Sequence, residues 1–120
     1  MSEHIKLGKI GEQIAAHFLV NKGYEILVQN YWTRLGEIDI VAKIDDKLVF
    51  VEVKTKTSTM HGEPHQAVTP EKIQKMMAAC RLYCQEFPLG DNFIRLDAIS
   101  IVCDRDAGDA YVQHFENITQ

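Results

Sequence analysis

Residues 36–44 (GEIDIVAKI) and 47–56 (KLVFVEVKTK) are two runs of alternating apolar and polar side chains separated only by Asp45-Asp46. A period of two is the signature of a β-strand, and so short a connection permits only an antiparallel hairpin. A loop centred on Asp45-Asp46 makes the numbers of facing residues sum to 91. Asp39 then faces Glu52, Glu37 faces Lys54, Ile38 faces Val53, Ile40 faces Val51 and Val41 faces Phe50. Alternation places Asp39, Glu52 and Lys54 on one side of the sheet, and Ile38, Ile40, Val49, Val51 and Val53 on the other. The Asp39 and Glu52 Cβ atoms should lie about 5 Å apart. Like charges in that position weaken a sheet, so fold stability alone does not select them. A divalent cation between them removes the objection; a solvated face with Lys54 as ordinary charge partner is the alternative.

With 120 residues, 46% of them apolar, the chain has the size and composition of a single globular domain, 1–120. No run is long and apolar enough for a membrane span, and Met1-Ser2-Glu3-His4 lacks the layout of a signal peptide. These features lead us to expect a cytoplasmic protein without membrane contact. Three cysteines, Cys80, Cys84 and Cys103, form no disulfide framework and read as small buried hydrophobes. The net charge of -4 argues against non-specific coating of nucleic acid. A polyanion would have to be met locally, by Arg34, Lys54, Lys56, Lys72, Lys75 or Arg81.

Leu7, Ile10, Ile14 and Phe18 recur at helical spacing, predicting a helix over 6–22 with Gly23 ending it. Gly8 and Gly11 within it mark either a frayed start or a close approach by another backbone. Residues 24–30 read as a short strand and 30–35 as a connection. Residues 57–69 have no apolar period, and Gly62 and Pro64 make them a loop; His61, Glu63 and His65 there lack the spacing of a zinc site. Thr69-Pro70-Glu71 is a helix start, carrying an N-cap hydroxyl, a first-turn proline and an acid at the positive end of the dipole. That helix runs through Ile73, Met76, Met77, Cys80 and Cys84 and stops before Pro88. Residues 92–103 and 110–115 complete the set as two strands around a charged turn.

Asp39 followed at a distance by Glu52-Val53-Lys54 resembles the D…ExK signature of restriction-endonuclease-like nucleases. The wider text resembles the YraN-like family of small bacterial proteins: Gly11-Glu12, Gly36-Glu37-Ile38-Asp39-Ile40, Val49 through Lys54, Lys72 and Arg95-Leu96-Asp97. The core is also similar to archaeal Holliday-junction resolvases. The resemblance implies an α/β fold, a mixed restriction-endonuclease-like β-sheet flanked by helices on both faces. It further implies a metal-dependent endonuclease acting on DNA, branched DNA included.

In that reading Asp39 and Glu52 hold Mg²⁺ or Mn²⁺, with the Val53 carbonyl as a further ligand, as at the matching position in similar enzymes. Lys54 orients the attacking water or stabilises charge on the phosphorane oxygens. Glu12, on the small-residue flank of Ala15, Ala16 and Leu19, reaches the metal as the helical acid of resolvase-like relatives does, or else is an exposed helical glutamate. Glu37 is an orienting partner for Lys54. Lys56 and Lys72 are candidate nucleic-acid contacts, with a solvated lysine the alternative for Lys72. Arg95 and Asp97 read as a structural pair. Two other functions stay open, a non-catalytic nucleic-acid-binding module on a nuclease fold and a protein-binding adaptor. The sequence also leaves open whether the chain forms a homodimer.

Overall fold

The computed structural model describes residues 3–57, 68–104 and 106–119, with side chains from Lys6 onward. The loop histidines His61 and His65, and Glu63 between them, lie outside these residues. Along the chain come α1 (Glu3–Asn21), β1 (Glu25–Thr33), β2 (Gly36–Ile44), β3 (Lys47–Thr57), α2 (Pro70–Glu86), β4 (Phe93–Asp104) and β5 (Asp109–Phe115). The strands form one sheet in the order β1-β2-β3-β4-β5, antiparallel except for the parallel pair β3 and β4. α1 packs on one face and α2 on the other. This is the expected α/β architecture, and it is compatible with a restriction-endonuclease-like fold. Neither helix is long and apolar enough to cross a membrane.

The β2–β3 hairpin has the register its turn dictates, from Ile44↔Lys47 up to Ile40↔Val51. One face of it, with Ile40, Ala42, Val49 and Val51, meets Ala15, Ala16 and Leu19 of α1. The other, with Val41, Leu48 and Phe50, meets Met76, Ala79, Cys80 and Tyr83 of α2. Both faces are covered, as the near-continuous apolar runs of central strands require. Ile38 departs from the simple alternation. It belongs to the α2-side cluster rather than to the side of Ile40, so β2 changes its side-chain alternation around Asp39.

In α1 the deepest contacts come from the small flank and not from the larger apolar stripe. Ala15 and Leu19 are fully buried, whereas Ile10 is 50% exposed. Gly11 explains the choice, because a Cβ there would stand 1.7 Å from Thr55 Oγ1. Only glycine lets α1 lie this close to β3. At Gly8 a Cβ would meet nothing, so of the two glycines only Gly11 marks a close approach.

α2 starts as its sequence demands, with Thr69 Oγ1 accepting from Lys72 N–H at 3.1 Å and Pro70 in the first turn. β1 runs further than the sequence reading, taking in Tyr31, Trp32 and Thr33. Pairing with β2 extends it, through Tyr31↔Ile38, Trp32↔Glu37 and Thr33↔Gly36, which local propensity does not reveal.

Candidate metal centre at the open end of the hairpin

The β2–β3 ladder ends at Ile40↔Val51, one step before Asp39 and Glu52 would pair. An unbroken ladder would direct Val53 N–H to the β2 backbone; here it donates to Asp39 Oδ2 at 2.8 Å. The Asp39 carboxylate thus fills the gap between separating strands and is oriented by backbone. This position comes from the break in alternation that also sends Ile38 to the α2 side.

Glu37, two residues before Asp39, and Glu12, which follows Gly11 on α1, converge on it. One carboxylate oxygen from each of Glu12, Glu37 and Asp39 lies within 4.8 Å of the others. All three are partly buried. Burial, then Glu52, Glu37 and Glu12 nearby, push the Asp39 carboxyl up to about 8, against the single opposing hydrogen bond from Val53. Glu37 is raised too, first by burial and then by Glu12; a hydrogen bond from the protonated Asp39 carboxyl opposes the shift. Carboxylic acids are therefore held together at the cost of their charge. Hard oxygen donors of this kind suit Mg²⁺, Mn²⁺ or Ca²⁺ rather than a thiolate-seeking metal.

Glu52 is buried, and Lys72 of α2 reaches it with Nζ 2.6 Å from Oε1. Burial would lower the Lys72 ammonium, but the hydrogen bond and charge of Glu52 outweigh this and leave it raised. Lys72, Lys75, Glu71, Glu37 and Glu52 line a pocket of about 300 Å³ beside the acids. Lys54 is exposed and, among the described residues, makes no ion pair; Lys56 is half-buried further along β3. The structure therefore brings Glu12, Glu37 and Asp39 into one group, with Glu52 at its side and Lys72 on Glu52. Glu37 turns toward Asp39 rather than pairing with Lys54.

The model for the uncharacterised protein family UPF0102 matches residues 11–101, a span that contains every residue of this centre. The chain belongs to UPF0102. A UPF0102 protein of Syntrophomonas wolfei is 44% identical across 93% of this chain and 96% of the relative. One from Flavobacterium psychrophilum is 41% identical across 98% and 96%, and one from Alkaliphilus oremlandii 46% across 80% and 84%. The resemblance to YraN-like proteins, a family that UPF0102 denotes, is thereby borne out. These UPF0102 names carry no activity, so the chemistry rests on the residues.

Sequence reasoning placed Glu37 on the right side of the strand but gave it Lys54 as partner. The signal was present in the period-two spacing of Glu37 and Asp39. It also passed over the network around Asp97, because its members Tyr24, His114 and Glu116 are far apart in sequence.

Proposed function

We propose that this protein is a metal-dependent endonuclease that hydrolyses phosphodiester bonds in DNA, with branched or structured DNA as its substrate class. The observation that carries the reading is the convergence of Glu12, Glu37 and Asp39 at the frayed end of the hairpin, beside a pocket with Lys72 and Lys75 in its wall. Nothing in the fold gains from this concentration of acids, which adds to burial in pushing the Asp39 carboxyl up to about 8. A hard cation would convert the repulsion into coordination. Asp39, with Glu12, Glu37 and Glu52, would hold Mg²⁺ or Mn²⁺, and the Val53 carbonyl is a further candidate oxygen.

When bound, such an ion polarises the phosphoryl group and lowers the pKa of a coordinated water. The protein's own groups do the rest. Val53 N–H fixes Asp39 by hydrogen bonding. Lys54, exposed on the same strand, is free to meet an incoming phosphate and to stabilise the charge that develops on it. Lys72, Lys75 and Lys56 supply the local positive charge that a net-acidic chain needs to hold a polyanion. A cytoplasmic location accords with this role and with free cysteines at Cys80, Cys84 and Cys103.

One observation favours a second reading, a nucleic-acid-binding module without catalysis: Lys72 already supplies a cation to Glu52 at 2.6 Å. The two part in a single experiment. Purified protein is incubated with labelled duplex, single-stranded and four-way-junction DNA, with Mg²⁺ or Mn²⁺ and with chelator. Metal-dependent cleavage that Asp39→Asn abolishes supports the nuclease; binding with no cleavage of any of the three selects the module.

A further inference from the structure

The β1–β2 hairpin ends in a two-residue turn, Arg34-Leu35, directly before the acidic cluster. Its tip is stiffened by one hydroxyl, with Thr33 Oγ1 donating to Gly36 O at 2.6 Å and accepting from Leu35 N–H at 3.1 Å. On this rigid tip Trp32 is 75% exposed. Trp32 pairs with Glu37 across the strands, so the two side chains share a face with Cβ atoms about 5 Å apart. Glu37 in turn belongs both to the acidic group and to the lining of the lysine-bearing pocket. The indole therefore stands beside the centre where a phosphate would react.

The exposed residues nearest Trp32 in sequence are mostly polar, with Gln29 and Asn30 before it and Arg34 directly after the following Thr33; Leu35, the second turn residue, is 46% exposed. A protein partner calls for a broad contiguous apolar patch, whereas here the charged Arg34 stands in sequence between the indole and Leu35, and the indole is the one flat aromatic ring exposed at this tip. An unstacked nucleobase has that shape, and its phosphate has the charge that Arg34 complements. Tyr31, the preceding residue, points the other way and packs edge-on against Tyr83, so the exposure of Trp32 is not a general looseness of the strand.

We propose that Trp32 is a base-stacking platform. It captures an unpaired nucleobase within a nucleotide or two of the cleavage position, and so restricts the substrate to DNA with a flap, gap or branch. This rests on the nuclease reading above and narrows its substrate class. Trp32 is a binding and positioning residue, not a catalytic one.

Trp32 is the only tryptophan in the chain, so intrinsic fluorescence reports on this site alone. The full-length protein is titrated in chelator with a blunt duplex and with the same duplex carrying a single-stranded flap. The flap substrate should quench the fluorescence and the blunt duplex should not. By competition, Trp32→Ala should bind the flap substrate about 10-fold to 100-fold more weakly, with Trp32→Phe retaining most of the affinity. Equal quenching by both DNAs, or unchanged flap affinity in Trp32→Ala, overturns the proposal. Since binding is read without metal, the two readings fail separately. Protein that is quenched by the flap but never cuts sinks the nuclease reading and leaves the platform. Protein that cuts blunt and flapped DNA alike, with or without Trp32, sinks the platform alone.

Discussion

Two aspartates, Asp97 on β4 and Asp39 on β2, are withdrawn from water in opposite ways. Asp97 is fully buried, yet its oxygens are saturated. Arg95 donates through Nε at 2.9 Å and Nη2 at 2.8 Å, Asn117 N–H donates at 2.9 Å, and His114 Nε2 lies at 2.8 Å. Lys22 Nζ, which can only donate, sits 2.8 Å from His114 Nδ1, so Nε2 carries the hydrogen that faces Asp97. Burial alone would raise this carboxyl, but the bonds from His114, Arg95 and Asn117 outweigh it and hold it below the usual range. Asp39 has one donor, Val53 N–H, and three acids for neighbours, and its carboxyl is pushed up. The contrast separates a carboxylate completed by the fold from one that awaits a partner.

The largest effect should come from the completed site. Asp97→Ala strips Arg95, His114 and Asn117 N–H of the acceptor they share and should cost about 3–5 kcal/mol in urea unfolding. Asp39→Asn keeps an oxygen for Val53 N–H while relieving repulsion, and should leave stability unchanged or raise it. Equal destabilisation by both substitutions would erase the distinction. Next, Lys54→Ala should lower turnover about 10²–10³-fold, with DNA affinity nearly intact and the salt slope smaller by about 1. A loss of affinity with turnover unchanged would make Lys54 a binding contact only. Third, Mg²⁺ at about 100 times its dissociation constant should stabilise the wild-type fold by about 2.7 kcal/mol. Asp39→Asn should abolish most of that gain and Asp97→Asn should not. A wild-type melting temperature indifferent to Mg²⁺ and Mn²⁺ argues against the centre.

The last test reads only the sign of a pH dependence. In metal-free protein the Asp39 carboxyl lies at about 8, against an ordinary 3.8. Over that window the folded state keeps a proton that the unfolded chain has released, so the Asp39 contribution falls as pH rises and levels off above it. Asp97 is depressed instead. Its contribution is present in full above the ordinary carboxylate range and is lost as pH falls through its lowered value. Comparing pH–stability curves of wild type and Asp39→Asn isolates the first slope. Curves that run parallel between these limits would contradict it.

The hairpin was legible because its determinants are local. Period-two alternation and the Asp45-Asp46 turn fix the register from Ile44↔Lys47 to Ile40↔Val51. The start of α2 was legible for the same reason, since Thr69, Pro70 and Glu71 act on their own helix end. The candidate site was legible only as residue types, Asp39, Glu52, Lys54 and Glu12, because alternation assigns faces but cannot say where a ladder stops. Tertiary packing decided the rest. Gly11 against Thr55 brings α1 close enough for Glu12 to reach Asp39. Packing of Ile38 on the α2 side takes it out of phase with Ile40, α2 delivers Lys72 to Glu52, and the link into β1, with β4 and β5, gathers Tyr24, Arg95, Asp97 and His114. Sequence by itself sets what neighbours a few residues apart can do, since their spacing is covalent. Which distant charges meet depends on how helices and strands pack, and no local period records that.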